Sequence, residues 1–224
     1  MIVILLIPMM FSCMPKMNTK VSEFPLMYEE HPLSILILPP MNESTAADAK
    51  QYYSTTIQEP LAYMGYYTFP YPITEEILKM EGIYDTELLV NLPLTRFKEY
   101  FGADAVLFTT IKKWDLSYMV LASNLEVSID CALKSTSTDQ VLWTYTGTVV
   151  VDLSGGNTGG GLVGLIAQAV VTAINSAAAD YVTYARQANY RALYSMPFGR
   201  YHPQYNKDKN VEFIDQTPEE KAAN

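Results

Sequence analysis

The chain has 224 residues, of which 49% are hydrophobic and 17% charged, so it can build a folded core and does not have the composition of a disordered protein. Its formal net charge of −9 and isoelectric point near 4.7 argue against nucleic-acid binding and give no attraction to anionic lipid. With two cysteines and two histidines, neither a disulfide framework nor a metal site is expected.

An uncharged apolar run, Met1 to Ser12, opens the chain and ends directly before Cys13. This run is too short to cross a bilayer, which takes about 20 residues, but it has the length of a signal-peptide core. The small residue before the cysteine resembles a bacterial lipobox, where the signal is cleaved and the thiol acylated. We therefore predict a signal peptide at residues 1–12 and a lipid anchor of palmitate type on Cys13. A buried N-terminal strand with an ordinary core cysteine is the alternative.

The next segments predict a tether followed by the start of a domain. Residues 13–33 contain three prolines and little periodicity, which is typical of a tether. Four consecutive aliphatic residues, Ile35 to Leu38, then indicate a short strand buried on both faces of a sheet. A helix is expected over residues 46–64, because Gly65 stands where a left-handed residue would end it. Residues 66–69 favour a second strand.

The middle of the chain predicts two short helices and an antiparallel meander. The helices are expected over 74–80, with Thr74 as N-cap, and over 94–101. Short polar connections join the three β-rich segments that follow, as in antiparallel hairpins: 106–114, 119–133 and 140–151. Cys131 alternates with apolar residues in the second segment, which indicates a buried strand cysteine.

A glycine-rich loop, 154–161, precedes a predicted long helix over 162–188 that carries no charge before Asp180. Its polar residues favour a core helix packed on the sheet, with a membrane-spanning helix as the alternative. The loop lacks the Lys-Ser/Thr of a phosphate-binding loop, so a flexible turn is favoured, and a small-molecule cleft beside it stays open. The domain is therefore expected to cover 34–195. Residues 196–224 are predicted to form a partly disordered C-terminal extension.

No catalytic constellation is recognisable in the sequence. The two histidines leave little room for a triad, and we expect a non-enzymatic protein without a cofactor. Tyrosine is the compositional outlier with 17 residues, and its apolar ring with a polar tip suits wet protein interfaces. Packing at the edge of the core is the alternative. The candidates for partner binding are Tyr52, Tyr53, Tyr66, Tyr67, Tyr201 and Tyr205.

Four segments together carry a family resemblance: the lipobox, ILILPPMN at 35–42, GADAV at 102–106 and PFGRYHP at 197–203. They resemble a family of uncharacterised bacterial lipoproteins of the genome-derived neisserial antigen type, over about Leu33 to Tyr205. The resemblance implies an α/β fold, an α+β sandwich in which helices pack on a mixed sheet. This fold is similar to the TolB N-terminal domain, the curli-secretion lipoprotein CsgG and the peptidoglycan-synthase activator LpoB. No catalytic residues carry over from the family.

The anchor and the resemblance together predict a role in the cell envelope. Because Met14 and not Asp follows Cys13, we expect an outer-membrane, periplasm-facing lipoprotein attached through its lipid. The predicted function is a non-enzymatic binding or assembly component of an envelope secretion or transport complex. Its expected partners are envelope proteins or further copies of itself, and not nucleic acid. Regulation of a peptidoglycan synthase and small-molecule binding are the alternatives.

Overall fold

The computed structural model describes residues 17–118, 123–152 and 181–214. The predicted signal peptide, Cys13, the glycine-rich loop and the first part of the predicted long helix lie outside these ranges. The described elements are β1 (Met17–Thr19), α1 (Lys20–Glu23), α2 (Pro25–Glu30), β2 (Ser34–Ile37), β3 (Met41–Asn42), α3 (Ala49–Thr56), α4 (Gln58–Tyr63), β4 (Tyr67–Thr68), α5 (Tyr71–Met80), α6 (Thr86–Leu89), α7 (Leu94–Phe101), β5 (Ala105–Tyr118), β6 (Ser123–Ser135), β7 (Val141–Asp152), α8 (Tyr181–Ala192), a 3-10 turn (Leu193–Ser195) and β8 (Glu212–Ile214).

A mixed sheet runs through the middle of the fold in the order β4-β2-β5-β6-β7, and β3 pairs with the later part of β5. Strand β2 is parallel to both β4 and β5, whereas β5, β6 and β7 form an antiparallel meander. The predicted α/β fold with a mixed sheet and a three-stranded meander is therefore confirmed. The first meander strand is longer than predicted, because it continues to Tyr118.

Helices cover both faces of the parallel half of the sheet because its two crossovers run in opposite directions. The chain passes from β2 through α3 and α4 to β4, and then returns through α5, α6 and α7 to β5. Since crossovers between parallel strands are right-handed, opposite directions place the two helix groups on opposite faces. Accordingly, Ile35 and Ile37 share a core with α3 and α4, while Leu36 packs with α5 to α7. The strand predicted to be buried on both faces is confirmed.

The meander buries one face and leaves the other polar. Alternate β6 residues on the buried face are at most 6% exposed: Leu125, Val127, Ile129, Cys131 and Leu133. The predicted buried strand cysteine is thus confirmed, and burial raises the pKa of its thiol to about 12. Single-faced burial of this kind is typical of antiparallel sheets.

Helix α8 closes the buried face of the meander. The Asn189 amide donates a 2.9 Å hydrogen bond to Thr56 Oγ1 on α3, and Trp143 Nε1 on β7 donates to Ser195 Oγ at 3.1 Å. The helix predicted over 162–188 is described only from Tyr181, and it continues to Ala192. Among the described residues, no helix is long and apolar enough to cross a membrane.

The structure corrects the tether predicted for residues 13–33, because residues 17–33 fold onto the domain. Strand β1 pairs antiparallel with β8, so that Met17 lies opposite Ile214. Phe24 stacks on Phe213 at 5.7 Å between ring centroids. The C-terminal extension is likewise part of the fold as far as Ile214, and the disorder predicted for its end concerns residues outside the described part. No local pattern shows these contacts, because the partners stand at opposite ends of the chain.

Three helical details also differ from the sequence prediction. The helix expected from Thr74 begins at Tyr71, because Pro72 is accommodated in the first turn, where no N–H is needed. Helix α6 was not predicted. The helix expected over 46–64 is divided at Ile57 into α3 and α4. Gly65 follows at φ +88°, which confirms the predicted left-handed residue.

Candidate binding surfaces

Two of the six tyrosines predicted to bind partners lie in the core. The Tyr53 side chain is fully buried, and its hydroxyl forms a 2.6 Å hydrogen bond with Thr109 Oγ1. The Tyr66 hydroxyl donates to the Pro197 carbonyl at 2.6 Å. Burial raises the pKa of both hydroxyls well above the ordinary value, so both stay neutral. Tyr53 and Tyr66 therefore stabilise the fold, and partner contact is kept as a proposal only for the accessible tyrosines.

The other four differ in accessibility. Tyr52 is half-buried and stacks on Trp114 at 6.2 Å, and the half-buried Tyr205 hydroxyl forms a 2.7 Å hydrogen bond with His31 Nδ1. Tyr67 and Tyr201 are 54% and 70% exposed. The Tyr201 amide donates to the Gly65 carbonyl at 3.1 Å, which places Tyr201 beside the turn that leads to Tyr67. Only these two present a largely open aromatic surface.

The PFGRYHP segment is held by close backbone contact with the turn at Gly65. The Gly199 amide donates to the Met64 carbonyl at 2.8 Å. A Cβ at Gly199 would lie 2.7 Å from the Gly65 carbonyl carbon, and one at Gly65 would lie 2.7 Å from His202 Cβ. Neither position has room for a side chain. This family-like segment therefore docks the C-terminal part of the chain onto the turn at Gly65.

A buried ion pair holds the same region from the other side. Lys20 Nζ lies 3.5 Å from Asp208 Oδ2, and both side chains are at most 3% exposed. Lys20 also donates to the Met196 carbonyl at 2.7 Å, while Asp208 accepts from the Phe198 amide at 2.8 Å. Burial lowers the pKa of Lys20, although Asp208 opposes this effect. The pair joins the two chain ends across the fold.

The GADAV segment contributes a carboxylate that fixes the start of β2. Asp104 accepts hydrogen bonds from the Leu33 and Ser34 amides at 3.1 Å and from Lys98 Nζ at 2.8 Å. Burial would raise the pKa of Asp104, but the hydrogen bonds from Lys98, Ser34 and Leu33 together lower it below its ordinary value. This motif residue is therefore a structural clamp.

An apolar stripe on α5, exposed at both of its ends, lies where the sequence predicted no binding site. Ile73, Ile77 and Met80 are spaced four and three residues apart, so they share one face of the helix. Ile73 is 58% and Met80 79% exposed, while the buried residues Thr74 and Leu78 lie on the adjacent face. We name these three residues the α5 stripe. Its spacing is visible in the sequence, but starting the helix at Thr74 excluded Ile73 from the pattern.

Further exposed apolar residues follow in the same part of the chain. They are Tyr84, Leu88 and Val90, at 75%, 51% and 47% exposure. They belong to the segment around α6, which packs on the same face of the sheet as α5. Several exposed apolar residues in one part of the surface are a common mark of an interaction site.

A cleft of about 480 Å³ lies beyond the carboxyl end of β2, between α3 and α5. Strands β2 and β4 are neighbours whose following helices lie on opposite faces of the sheet, which makes this the topological switch point. We name it the switch-point cleft. Its lining includes Lys50, Ser54, Tyr71, Tyr84 and Thr86.

A second cleft, of about 390 Å³, lies between β7, the end of α8 and the β1–β8 pair. Phe24, Tyr145 and Phe213 contribute aromatic walls, and Glu23, Arg191 and Glu212 contribute charges. Three of its large hydrophobic lining residues are more than half exposed, namely Met17, Tyr194 and Ile214. We name it the terminal cleft, and these three residues its rim.

The described histidines and acids do not gather into a reactive centre. Within the described ranges, no group of three or more His, Cys, Asp or Glu residues is arranged to hold a metal ion. Burial lowers the pKa of His202, which stacks on Phe198 at 3.7 Å. The arrangement of these surfaces is suited to binding.

Comparison with known proteins agrees with the family resemblance. A family model described as "Putative lipoprotein GNA1162-like" matches residues 23–199, which include β2, the GADAV segment and the docked Gly199. The chain belongs to this family. Within the GNA1162-like family, the relative "Putative lipoprotein NMB1124/NMB1162" of Neisseria meningitidis serogroup B is 31% identical over 152 residues. The match covers 68% of this chain and 70% of the relative.

A solved structure from the same family supports the fold. The crystal structure of lipoprotein GNA1162 from Neisseria meningitidis is 32% identical and covers 65% of this chain and 100% of that chain, with a TM-score of 0.51. The LpoB C-terminal domain from Escherichia coli is 14% identical and covers 59% of this chain and 98% of that chain, with a TM-score of 0.37. The second likeness is too weak to bear on either fold or function. The predicted neisserial-type resemblance is confirmed, and no comparison gives evidence of catalysis.

Proposed function

We propose that this GNA1162-like protein is an outer-membrane lipoprotein, anchored through Cys13 after removal of residues 1–12. Its periplasmic domain acts in this proposal as a non-enzymatic binding or assembly component of an envelope secretion or transport complex. The family description supports the lipoprotein, and the lipobox supports the position of the anchor. The α5 stripe is the observation that carries the binding role.

The α5 stripe is unusual because the domain already has a complete core beneath it. The inward face of α5 buries Thr74 and Leu78, so the largely exposed Ile73 and Met80 add little to packing within the described domain. Apolar side chains at this spacing are anchors for a partner that buries them, as in interfaces where a few central residues supply most of the affinity. A flanking ion pair, Lys79 with Glu75 at 3.1 Å, provides a polar rim.

Photo-crosslinking in intact cells tests this surface. A photoreactive residue at Met80 should capture a defined envelope protein or a second copy of the chain, whereas the same residue at exposed Gln140, in the turn between β6 and β7, should not. Ile73→Glu should abolish capture from Met80 without unfolding the protein, because the side chain is 58% exposed. Equal capture from both positions, or none from Met80, would contradict the proposal.

The anchor needs a separate test. Cys13→Ala should remove the acyl modification and release the protein from the membrane fraction, because no other lipid attachment is proposed. Mass spectrometry of the mature wild-type protein should show acylation at Cys13 and a chain that begins there. An intact leader would contradict both the processing and the anchor.

Small-molecule binding is a second candidate, favoured by the switch-point cleft. Open α/β sheets bind ligands beyond the carboxyl ends of their strands at such a point. The cleft combines tyrosine rings with hydroxyl, amine and carboxylate groups, and the Ser54 side chain, only 3% exposed, lines it. Lys50 donates to Thr86 Oγ1 at 3.3 Å across it. These groups suit a small polar ligand with an apolar face.

A thermal-shift screen of polar small molecules tests the second candidate. A ligand at 100 times its dissociation constant should stabilise the protein by about 2.7 kcal/mol. Ser54→Val should weaken that stabilisation, since it removes a hydroxyl from the cleft wall, while Ser128→Val on the polar face of the meander should not. Identical shifts in both variants would place the ligand elsewhere.

A further inference from the structure

The rim of the terminal cleft is an apolar surface at the end of the domain where the chain enters the fold. Met17, Tyr194 and Ile214 are 52%, 57% and 56% exposed. Met17 and Ile214 are direct neighbours, because they are paired residues of β1 and β8. Behind them the cleft is walled by Phe24 and Phe213, which are only 6% and 7% exposed. The exposed apolar rim therefore lies at the opening of a cleft whose inner wall is aromatic.

Covalent geometry places this rim close to the proposed anchor. Only Met14, Pro15 and Lys16 separate Cys13 from Met17. At about 3.3–3.6 Å per residue, the Cα atoms of Cys13 and Met17 can be no more than about 14 Å apart, however the intervening chain is arranged. The headgroup layer of a bilayer is about 5–8 Å thick on each side. An acyl chain on Cys13 therefore keeps Met17 within about 14 Å of the lipidated residue, which is close enough for the rim to reach the headgroup layer.

Strand β1 cannot move away from the domain to lengthen this connection. It is paired with β8, and the following helix is fixed by reciprocal hydrogen bonds between Thr19 and Ser22. Lys20, directly after the strand, is buried in its ion pair with Asp208. The position of Met17 is thus set by the body of the domain, and the body must come to the membrane with it.

We propose that the rim of the terminal cleft lies in the interfacial layer of the membrane that holds the Cys13 anchor, so that the domain has a fixed orientation on the bilayer. This inference rests on the proposed lipidation. Tyrosine is suited to the interface because its ring is apolar and its hydroxyl can reach water, and Met and Ile insert among the acyl chains. The lipid anchor supplies a high local concentration of the rim at the membrane, so that even weak insertion persists.

The charges at the cleft agree with apolar insertion as the means of contact. Glu23 and Glu212 carry negative charge there, and Arg191 carries positive charge. With a formal net charge of −9, the protein as a whole is not drawn to anionic lipid. The contact is therefore expected to depend on the three rim side chains and not to be weakened by salt.

The orientation keeps the α5 stripe accessible. Residues 144–146 of β7 line the terminal cleft, and β7 and β4 are opposite edges of the five-strand path of the main sheet. Four interstrand spacings of about 4.8 Å separate these edges by roughly 19 Å. Helix α5 follows directly after β4, so a rim resting on lipid leaves the proposed partner surface on the distant side of the sheet.

Site-directed fluorescence in vesicles tests the orientation. The full acylated protein is reconstituted in phosphatidylethanolamine–phosphatidylglycerol vesicles with a nitrobenzoxadiazole label on Ile214→Cys, and separately on the control Tyr67→Cys at the β4 edge. Both positions are similarly exposed, at 56% and 54%. Buried Cys131, whose thiol has a raised pKa, does not compete for the label. Each labelled protein must retain the wild-type circular dichroism spectrum and melting temperature.

Nitroxide lipids should quench the label at position 214 several-fold more than the label at position 67, and aqueous iodide should show the reverse order. Equal lipid quenching at the two positions in an acylated protein would overturn the orientation and leave the anchor intact. Protection from iodide at 214 without lipid quenching would also overturn it, in favour of a protein occupant. An unmodified Cys13, read by mass spectrometry on the same sample, would overturn the anchor and the orientation together. A label on Met17→Cys provides an independent second position.

Discussion

Replacement of Gly199 by alanine tests whether the PFGRYHP segment is a structural dock. The new Cβ would lie 2.7 Å from the Gly65 carbonyl carbon and 2.8 Å from Tyr66 Cδ1, and the first of these atoms belongs to the backbone and cannot turn away. Relief of the clash requires the two segments to separate. Separation strains the hydrogen bonds from Gly199 to Met64 at 2.8 Å and from Tyr201 to Gly65 at 3.1 Å.

The expected cost follows from these two effects. Overpacking of a closely packed site costs about 1–3 kcal/mol. Weakening of two backbone hydrogen bonds adds about 1 kcal/mol or more. We therefore expect Gly199→Ala to lower the free energy of unfolding by about 3 kcal/mol, which corresponds to a melting temperature lower by roughly 6–12 °C for a protein of this size.

Urea denaturation monitored by circular dichroism measures this difference, and Gly82→Ala is the matched control. Gly82 has a left-handed φ of +79° but nothing within 4 Å of a new Cβ, so its replacement carries only the backbone penalty of about 1 kcal/mol. Gly199 has no left-handed φ, so its cost is steric. If Gly199→Ala were no more destabilising than Gly82→Ala, the docked arrangement of the segment would be refuted.

Three further substitutions test the clamps that hold the chain ends and β2. Asp208→Asn should destabilise the protein by about 3 kcal/mol because it leaves Lys20 buried without its counter-ion, and the added change Lys20→Met should restore part of that loss; an additive double variant would contradict the pairing. Asp104→Asn should cost about 1–2 kcal/mol near neutral pH, since the carboxylate is 34% exposed and partly screened. Because the folded pKa of Asp104 is lowered, its contribution is present above the ordinary value of 3.8 and is lost as pH falls through the folded pKa. The variant and wild type should therefore converge in acid denaturation series only below pH 3.8, as the pH passes through that lowered pKa. Tyr66→Phe should cost about 1–3 kcal/mol in thermal denaturation by leaving the Pro197 carbonyl unsatisfied, whereas Tyr67→Phe should change stability by less than about 0.5 kcal/mol; similar costs would count against the assignment of Tyr66 to the core.

The parts of the fold that depend on local pattern could be predicted from the sequence. The aliphatic run at Ile35 is buried on both faces as its composition requires, and the alternation around Cys131 matches the buried face of β6. Gly65 adopts the left-handed backbone that its place after a helical pattern predicts. In each case neighbouring residues alone carry the physical constraint.

The parts that depend on distant pairing could not be predicted. Lys20 reads as a solvated charge in its local context, and only Asp208 makes its burial possible. The segment Met17–Thr19 is too short to show a strand pattern in the sequence. It is a strand because β8 pairs with it. The α5 stripe was hidden by a different cause, since Pro72 obscured the true start of the helix at Tyr71.

The pairing of β1 with β8 also means that the order of the elements along the chain can be changed by circular permutation while the fold is kept. Because Met17 stands opposite Ile214 in an antiparallel ladder, a short glycine linker can join these two residues directly. A circularly permuted chain joined there, and opened at the exposed turn before Val141, would carry the same core with its new ends at the border of the meander. Because this joint removes Cys13, a lipobox fused before Val141 would move the point of membrane attachment from one side of the fold to another.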